Sequence, residues 1–303
     1  MRAIEGIITA MVTCFRKDGA VDVHSMKASV RHQIANGAGG LCPLGGTGEP
    51  LSLTVEEHKQ VIDAVVEEAA GRVPVVVGTL LARQDDILEC GRHARTAGAD
   101  AIMVIPPYFI NTKPAHTRAH FETIAERVDL PMVLFHGPGR SGVRLDADSI
   151  LQLLSAVPRF VAIKETSGDL VISAELLRSA PPAFRVLQGL DEYVLPTLAL
   201  GGHGAVLSLG CLIPALLRNL ERAFAAGKVE EAQRIQLSLL PLCEVIYGEP
   251  NPGPLKVALT MAGRPAGPTR QPIYPVSVET MAGLERLLPD ILRAEEAAGR
   301  TSG

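Results

Sequence analysis

The stretch Arg159-Phe160-Val161-Ala162-Ile163-Lys164-Glu165-Thr166-Ser167-Gly168-Asp169 decides the fold class of this 303-residue chain. Four apolar residues in a row, followed at once by a polar loop containing glycine, are typical of a strand buried on both faces. Strands of that kind occur in parallel sheets whose two faces are covered by helices. The stretch therefore predicts an α/β fold with Lys164 at the end of a buried strand.

Similar short apolar runs recur along the chain and alternate with amphipathic stretches. Thr54 precedes the helical pattern Val55–Ala70 and Glu57 stands three residues further on, a capping box that fixes the start of that helix. Eight strands separated by seven helices require parallel pairing, because each return crossover needs a helix. An eighth helix is predicted at Ile213–Ala226. The predicted strands are Gly6–Thr13, Gly40–Leu44, Val73–Val77, Ala101–Ile105, Met132–Phe135, Phe160–Lys164, Arg185–Gln188 and Gly204–Leu207.

Eight such units predict a (β/α)8 TIM barrel over residues 1–226. A doubly wound open sheet is the alternative, but it usually carries a glycine fingerprint after its first strand, and Thr13-Cys14-Phe15 is not one. We expect residues 227–303 to form a C-terminal helical extension packed on the barrel. They contain no new strand and show helical patterns at Val229–Ile246, from near Pro252, and at Val276–Ala298.

Composition argues against several classes of partner. A net charge of −4 without a basic cluster argues against nucleic acid. No run reaches the roughly 18 apolar residues of a membrane span, and Met1–Gly6 lacks the long apolar region of a signal peptide. We therefore expect a cytoplasmic protein without a disulfide framework or a metal site, because its cysteines are odd in number and scattered. They are Cys14, Cys42, Cys90, Cys211 and Cys243, predicted to be reduced and mostly buried.

Lys164 is the first candidate for chemistry. An ammonium group at the tip of a buried strand must be desolvated, which lowers its pKa from about 10.4 toward neutrality. A neutral amine is a nucleophile that forms a Schiff base with a carbonyl substrate. The alternative is a lysine that extends its amine to water or pairs with Glu165. This motif alone does not separate the two.

Further polar groups follow other predicted strands, at the end of the barrel where active sites lie. The consecutive glycines of Gly45–Glu49 let backbone N–H groups turn inward to bind a carboxylate or phosphate, although such a turn can also be empty. Tyr108 places a phenol at the barrel mouth or is an ordinary interface residue. Arg140 suits a substrate carboxylate. Together with Lys164 these groups predict a Schiff-base enzyme acting on an acidic oxo compound.

The chain resembles the dihydrodipicolinate synthase and N-acetylneuraminate lyase family of pyruvate-dependent class I aldolases, nearly from end to end. Several spaced motifs in the same order make a chance agreement improbable. They are Gly45–Glu49 (family G-x-T-G-E), Ile163-Lys164-Glu165 followed by Ser167-Gly168-Asp169, Gly189-Leu190-Asp191, Gly201–Val206 and Asn251–Lys256.

The resemblance implies roles for individual residues at the centre of the barrel. Lys164 would carry the imine with a pyruvoyl group, and Val206 would pack beside that imine. Thr47 would bind the carboxylate of the pyruvoyl group together with the backbone N–H groups of Gly46 and Thr47. No cofactor or metal is implied, because the imine itself serves as the electron sink.

The resemblance also implies a second substrate and a homo-oligomer. Arg140 matches the arginine that binds the carboxylate of the aldehyde in the synthases. Tyr108 matches a tyrosine that reaches across a dimer interface into the neighbouring site. We therefore expect a small 2-oxo acid such as pyruvate as substrate, and a homodimer or homotetramer as the assembly.

Two positions depart from the family pattern. The fifth strand of the family normally ends in Tyr-Asn, where the tyrosine shuttles protons, but here it ends in Phe135 and His136. The first threonine of the synthases' Thr-Thr pair is Gly46. The relay is thereby reduced to Tyr108, and positioned acid–base groups typically contribute about 10² to 10⁴ in rate. Because side chains alternate along a strand, an inward Phe135 predicts that His136 points toward the helices.

Three functions follow from these features. The first is a Schiff-base carbon–oxygen or carbon–carbon lyase or aldolase acting through Lys164 on pyruvate or a small acidic 2-oxo acid. The second is a true 4-hydroxy-tetrahydrodipicolinate synthase, which condenses pyruvate with aspartate semialdehyde; Arg140 favours it, whereas Phe135 and Gly46 oppose it. The third is a barrel that binds a 2-oxo acid without turnover, which the lysine and the anion-binding loop disfavour.

Overall fold

The fold is a closed barrel of eight parallel strands with helices on its outside. The computed structural model describes residues 2–110 and 112–300. Its strands are β1 Gly6–Ala10, β2 Gly40–Cys42, β3 Val76–Gly78, β4 Ala101–Val104, β5 Met132–His136, β6 Phe160–Glu165, β7 Arg185–Gln188 and β8 Gly204–Leu207. They pair in the order β2-β1-β8-β7-β6-β5-β4-β3. A parallel bridge between Leu41 and Val75 closes the ring between β2 and β3, so the predicted TIM barrel is confirmed.

The helices cover the outer face of the barrel and continue beyond β8. The helix α2 begins with the predicted capping box, in which Thr54 accepts from the Glu57 N–H and the Glu57 side chain accepts from the Thr54 N–H. The helices are α1 Val23–Ala35, α2 Val55–Ala69, α3 Gln84–Ala97, α4 Pro114–Arg127, α5 Pro138–Ser141, α6 Ala147–Ala156, α7 Leu170–Ser179, α8 Val194–Ala199, α9 Pro214–Ala225, α10 Val229–Tyr247, α11 Gly253–Met261 and α12 Val278–Arg300.

Two predicted strand boundaries differ from the structure by three residues, and one crossover contains a helix more than predicted. The first strand ends at Ala10 instead of Thr13, because the chain turns away toward an antiparallel bridge between Phe15 and Val21. The third begins at Val76 instead of Val73. Here Pro74 has no N–H to donate, and the Val75 N–H donates to the Asp100 carboxylate at 2.9 Å. Between β5 and β6 there are two helices instead of one, because the short α5 precedes α6.

The inside of the barrel is filled by alternate side chains of the strands, as the two-residue period of a strand requires. On β5 the inward residue at the top is Phe135, and the neighbouring His136 lies fully buried on the helix side. The predicted orientation of these two residues is therefore confirmed. The inner cluster includes Ile8, Ala10, Cys42, Met103, Val133, Phe135, Ala162, Leu187 and Val206.

The helices α10 and α12 pack against α9, and α11 packs against α10 and α12; the three add no strand to the described part of the chain. On α12, the buried Glu295 accepts from the N–H groups of Ala215 and Leu216 at 3.2 and 2.8 Å, at the start of α9. On α10, Gln236 donates to the Asp191 carbonyl at 3.0 Å and accepts from the Leu195 N–H at 2.9 Å. These bonds tie α10 to the loop that follows β7.

Two features of residues 2–110 and 112–300 bear on the expected partners. None of the helices described there has the length and apolar character that crossing a bilayer requires. Nor do three or more His, Cys, Asp or Glu side chains come together there in a way that could hold a metal ion. All five cysteines are buried and unpaired, as predicted.

Candidate active site

Lys164 lies on β6 at the carboxyl end of the barrel, with only 6% of its surface exposed. Burial lowers its pKa, and the nearby Arg140 guanidinium adds to that effect, whereas the Asp191 carboxylate opposes it. Its Nζ lies 4.9 Å from the centroid of the Phe135 ring. The structure therefore buries the amine as the sequence predicts, and burial shifts its protonation equilibrium toward the neutral form.

Gly189 gives the lysine its space. A Cβ at this position would lie 2.8 Å from the Lys164 Cε and 2.3 Å from the Thr166 Cγ2. Both distances are far shorter than an ordinary contact, so a larger residue would push the lysine side chain out of its place. The Gly189 N–H donates to the carbonyl of Glu165, directly after the lysine, at 2.7 Å. Gly189 therefore helps to hold the Lys164 amine in its position.

A cavity of about 390 Å³ opens next to Phe135 at the mouth of the barrel. Its walls come from the glycine loop after β2, from the ends of β4 and β5, and from the C-terminal extension. They include Gly46, Tyr108, Phe135, Arg140, Asn251 and Ile273. Three of the predicted site residues therefore line the same cavity, namely Gly46, Tyr108 and Arg140. Its volume suits a small ligand.

The glycine loop places Thr47 beside that cavity. Gly46–Gly48 forms one turn of 3₁₀ helix, and the Thr47 side chain is buried. Its hydroxyl lies 2.7 Å from the Ser208 hydroxyl and accepts from the Asn251 amide at 3.2 Å. A Cβ on Gly46 would meet nothing within 4 Å, so the missing threonine of the family pattern leaves open space here.

Tyr108 and Arg140 both line the cavity. The Tyr108 hydroxyl donates to the Leu80 carbonyl at 3.2 Å, and partial burial raises the pKa of the phenol. Arg140 is exposed on the short helix α5. Its exposed guanidinium is available for a carboxylate that enters the cavity. Val206 lies deeper, in the inner cluster with Phe135.

His136 holds the loop that carries Arg140. Its Nε2 accepts from the Leu145 N–H at 3.0 Å, which leaves Nδ1 to donate to the Glu165 carboxylate, 2.5 Å away. Glu165 in turn accepts from the Ser167 N–H at 2.5 Å. Both ring nitrogens are thus occupied on the outer side of the barrel wall. His136 is a link between loops and does not face the cavity.

A buried ion pair supports the glycine loop from behind. Lys256 Nζ lies 2.6 Å from Glu49 Oε1, and both side chains are almost completely buried. The Glu49 carboxylate also accepts from the Arg270 N–H at 2.9 Å, and the Lys256 ammonium donates to the Pro268 carbonyl at 2.8 Å. The loop that follows Thr47 is therefore fixed to the C-terminal extension.

Comparison with known proteins establishes the family. The model of the dihydrodipicolinate synthetase family matches residues 3–291. The chain belongs to this family. It is 37% identical to the 4-hydroxy-tetrahydrodipicolinate synthase of Maridesulfovibrio salexigens, over 94% of this chain and 97% of that protein. It is 38% identical to the synthase of the same name from Methanothrix thermoacetophila, over 93% and 95% of the two chains.

Solved structures agree with this assignment. The 4-hydroxy-tetrahydrodipicolinate synthase of Methylacidiphilum fumariolicum SolV superposes with a TM-score of 0.92 at 28% identity, over 98% of this chain and 99% of that one. A dihydrodipicolinate synthase variant described as monomeric gives a TM-score of 0.89 at 28% identity, over 95% and 96%. The predicted family and reaction class are confirmed: the protein is a Schiff-base-forming lyase of the dihydrodipicolinate synthetase family.

The structure of this family member also brings together polar residues for which the sequence predicted no role. Asp191, three residues after the end of β7, is fully buried, and burial raises the pKa of its carboxyl group to about 6. Tyr247, the last residue of α10, donates a hydrogen bond to that carboxylate. Ser208 follows β8 and contacts Thr47. The strand-end rule could have indicated Asp191 and Ser208, but no local pattern indicates Tyr247.

Proposed function

We propose that this protein forms a Schiff base between Lys164 and the carbonyl of pyruvate or another small acidic 2-oxo acid, and uses it in a lyase or aldolase reaction. The observation that carries the proposal is the desolvated amine of Lys164 at the barrel mouth, with its pKa lowered by burial. Lysine amines of this kind are the usual nucleophiles of Schiff-base enzymes. The cavity lined by Phe135, whose ring centroid is 4.9 Å from the Lys164 Nζ, has the size of a small-molecule site.

The glycine loop would hold the carboxylate of the 2-oxo acid. Gly46 lines the cavity, and Thr47 next to it offers a hydroxyl and a backbone N–H. Arg140 would pair with the carboxylate of a second reactant, because its guanidinium lines the same cavity and can form two parallel hydrogen bonds. Tyr108 would donate a proton or hydrogen bond, since the raised pKa of its phenol keeps it protonated. Val206 would pack beside the imine.

Borohydride trapping tests the nucleophile. Incubation with pyruvate and borohydride should add the mass of one reduced pyruvoyl group to Lys164, located by peptide mass spectrometry. Lys164→Ala should lose the adduct and all turnover while keeping the wild-type melting curve. The exposed Lys17→Ala is the matched control and should be trapped like the wild type. An adduct on a different lysine, or turnover by Lys164→Ala, would refute the assignment.

A true 4-hydroxy-tetrahydrodipicolinate synthase is the second candidate, because the relatives reported above carry that name. The position of Arg140 in the cavity favours it, whereas Phe135 lacks the hydroxyl of the family's relay tyrosine. A coupled assay with pyruvate and aspartate semialdehyde separates it from other lyases. Trapping without turnover of any 2-oxo acid would instead support the third function, a binding protein.

We further propose that the protein works in the cytoplasm as a homodimer or homotetramer. Five buried, unpaired thiols fit a reducing compartment. Exposed apolar side chains surround the Tyr108 corner of the cavity, namely Leu51, Phe109 and Ile110, and a second copy could cover them. Sedimentation velocity tests the assembly. A fully active monomer would contradict the proposed assembly. A monomer is a real alternative, because one of the structural neighbours is a dihydrodipicolinate synthase variant described as monomeric.

A further inference from the structure

The cavity beside Phe135 has a wall of mostly apolar side chains. Leu80 follows β3, Ile105 follows β4 and Phe135 lies on β5, so three neighbouring strands contribute to it. Each of these three residues is only 5% exposed. The half-buried Ile273 adds a fourth apolar side chain from the C-terminal extension. An apolar ligand that covers such a wall releases water from it, and this release favours binding.

The same cavity has room for a bulky ligand. Gly46 lines it, and a Cβ on this residue would meet nothing within 4 Å. The Phe135 ring, whose centroid lies 4.9 Å from the Lys164 Nζ, has no group that donates or accepts a conventional hydrogen bond. The volume of about 390 Å³ suits a body of the size of an aromatic ring. A reactant that approaches the amine from this cavity therefore meets an apolar surface.

The wall offers one positive charge. Arg140 is the only cation among the described residues that line the cavity, and its side chain is exposed. Its polar neighbours in the wall, Ser52, Tyr108 and Asn251, are uncharged. A guanidinium binds a carboxylate through two parallel hydrogen bonds. A second reactant with one carboxylate therefore has one charged partner here.

An ammonium group, by contrast, has no free negative charge to pair with in this wall. Glu49 is the only acidic residue among the described residues that line the cavity. Its fully buried carboxylate lies 2.6 Å from the Lys256 ammonium and accepts from the Arg270 N–H at 2.9 Å. The Leu80 carbonyl already accepts from the Tyr108 hydroxyl at 3.2 Å. A charged amine that lost its water here would stay unpaired, which is costly.

We propose that the second reactant of this enzyme is an aldehyde that carries one carboxylate on an apolar, ring-sized body and has no ammonium group. The carboxylate pairs with Arg140, and the body lies against Leu80, Ile105 and Ile273. This inference rests on the proposed function, because it concerns the partner of the pyruvoyl group on Lys164. The three apolar residues determine specificity and take no part in the proton transfers.

The reaction is an aldol addition that needs no oxidant, reductant or further reactant. The imine of pyruvate on Lys164 loses a proton from C3 and becomes an enamine, and C3 then attacks the aldehyde carbon. The new C–C bond replaces the π bond of the aldehyde, whose oxygen takes up a proton and becomes a hydroxyl group. Water, one molecule of which left when the imine formed, then hydrolyses the C=N bond. The free amine and a 4-hydroxy-2-oxo acid result.

Three aldehydes test the proposal with the wild-type protein and saturating pyruvate. Succinate semialdehyde differs from aspartate semialdehyde only by lacking the ammonium group, and 4-carboxybenzaldehyde combines a carboxylate with an aromatic body. The measured quantity is kcat/KM for the consumption of each aldehyde. Succinate semialdehyde should exceed aspartate semialdehyde by about 10-fold or more, because an unpaired buried charge is costly. 4-Carboxybenzaldehyde should exceed succinate semialdehyde by about 10-fold or more, the scale of added apolar contact.

Ile273→Thr tests the apolar wall, because it puts a hydroxyl at a half-buried position and keeps the branched shape. The ratio of kcat/KM for 4-carboxybenzaldehyde to that for succinate semialdehyde should fall by about 5-fold or more. This ratio cancels any change in the steps that both aldehydes share, such as imine formation with pyruvate. Val278→Thr is the matched control, because Val278 is 77% exposed in the same extension, and should keep the wild-type ratio.

The outcomes separate this inference from the proposed function. If pyruvate and borohydride leave no adduct on Lys164, the proposed function fails. If the adduct forms and aspartate semialdehyde is consumed at least as efficiently as succinate semialdehyde, the inference is refuted. It is also refuted if 4-carboxybenzaldehyde is not the preferred aldehyde, or if Ile273→Thr keeps the wild-type ratio. Should Ile273→Thr lose its melting transition, the comparison of the three aldehydes on the wild type decides alone.

Discussion

Replacing Lys256 by methionine should destabilise this protein far more than the loss of a surface charge. The ammonium group lies 2.6 Å from Glu49, with side-chain exposures of 3% and 0%. Methionine keeps much of the aliphatic volume, so the change removes mainly the charge. The Glu49 carboxylate would then stay buried with the Arg270 N–H as its remaining donor at 2.9 Å.

The magnitude follows from the burial of the pair. Removing one partner of a buried ion pair costs about 3–5 kcal/mol, because the other charge is left uncompensated. For a chain of this length the unfolding entropy scale converts that cost into a fall in melting temperature of about 5–8 °C. The double variant Glu49→Gln with Lys256→Met leaves no charge behind. It should therefore be more stable than the sum of the two single changes predicts.

Urea unfolding and differential scanning calorimetry measure both quantities. Lys228→Met is the matched control, because Lys228 is largely exposed and its distance to Glu231 is 3.8 Å. Exposed pairs of this kind contribute about 0–1 kcal/mol. The reasoning fails if Lys256→Met lies within about 1 kcal/mol of the wild type, or if the double variant is less stable than the sum of the single changes.

Three further predictions concern the cavity. The double variant Phe135→Tyr with Gly46→Thr should raise the rate of condensation of pyruvate with aspartate semialdehyde, because the space next to Gly46 is open. A wild-type rate already equal to that of an ordinary synthase would contradict the argument that the missing phenol limits this reaction. Arg140→Ala should raise the KM for a carboxylate-bearing second substrate by about 10-fold or more, measured in steady state, and an unchanged KM would exclude Arg140 from binding. Asp191→Asn should gain up to about 3 kcal/mol of stability relative to wild type between pH 4 and pH 6. Burial raises the pKa of Asp191 from 3.8 to about 6, so the folded wild type holds this proton more tightly than the unfolded chain and loses stability as pH rises through that interval. Denaturant titrations at both pH values check this, and a constant difference between the two proteins would contradict it.

Most of the barrel could be predicted from the sequence because its strands obey a simple rule. Apolar runs separated by helical patterns identified all eight strands, and the alternation along β5 correctly separated the inward Phe135 from the outward His136. The strand boundaries were predicted wrongly where a proline or a side-chain hydrogen bond removes a residue from the strand, as before β3. Apolar character does not show that the Val75 N–H is taken by Asp100. Boundaries therefore depend on contacts that only the folded chain makes.

The polar network around Asp191 could be predicted only in part, for the same reason. Asp191 and Ser208 follow β7 and β8, so the strand-end rule applies to them. Tyr247 lies at the end of a helix in the C-terminal extension, where a lone tyrosine ordinarily indicates packing. Only the folded α10, fixed by Gln236 to the loop after β7, brings the phenol to the carboxylate. Contacts between segments that are far apart in the chain produce no periodic pattern in the sequence, so the sequence does not predict them.

The C-terminal extension thus does more than cover the barrel. Asn251 lines the cavity and donates to Thr47, Tyr247 donates to Asp191, and Lys256 neutralises Glu49 behind the glycine loop. The barrel by itself supplies the desolvated amine of Lys164 and the phenol of Tyr108. In a family member whose fifth strand ends in phenylalanine, no hydroxyl comes from that strand end. The hydroxyl groups nearest to the glycine loop depend on the extension for their position, so it is there that we expect the chemistry of this protein to differ from that of its relatives.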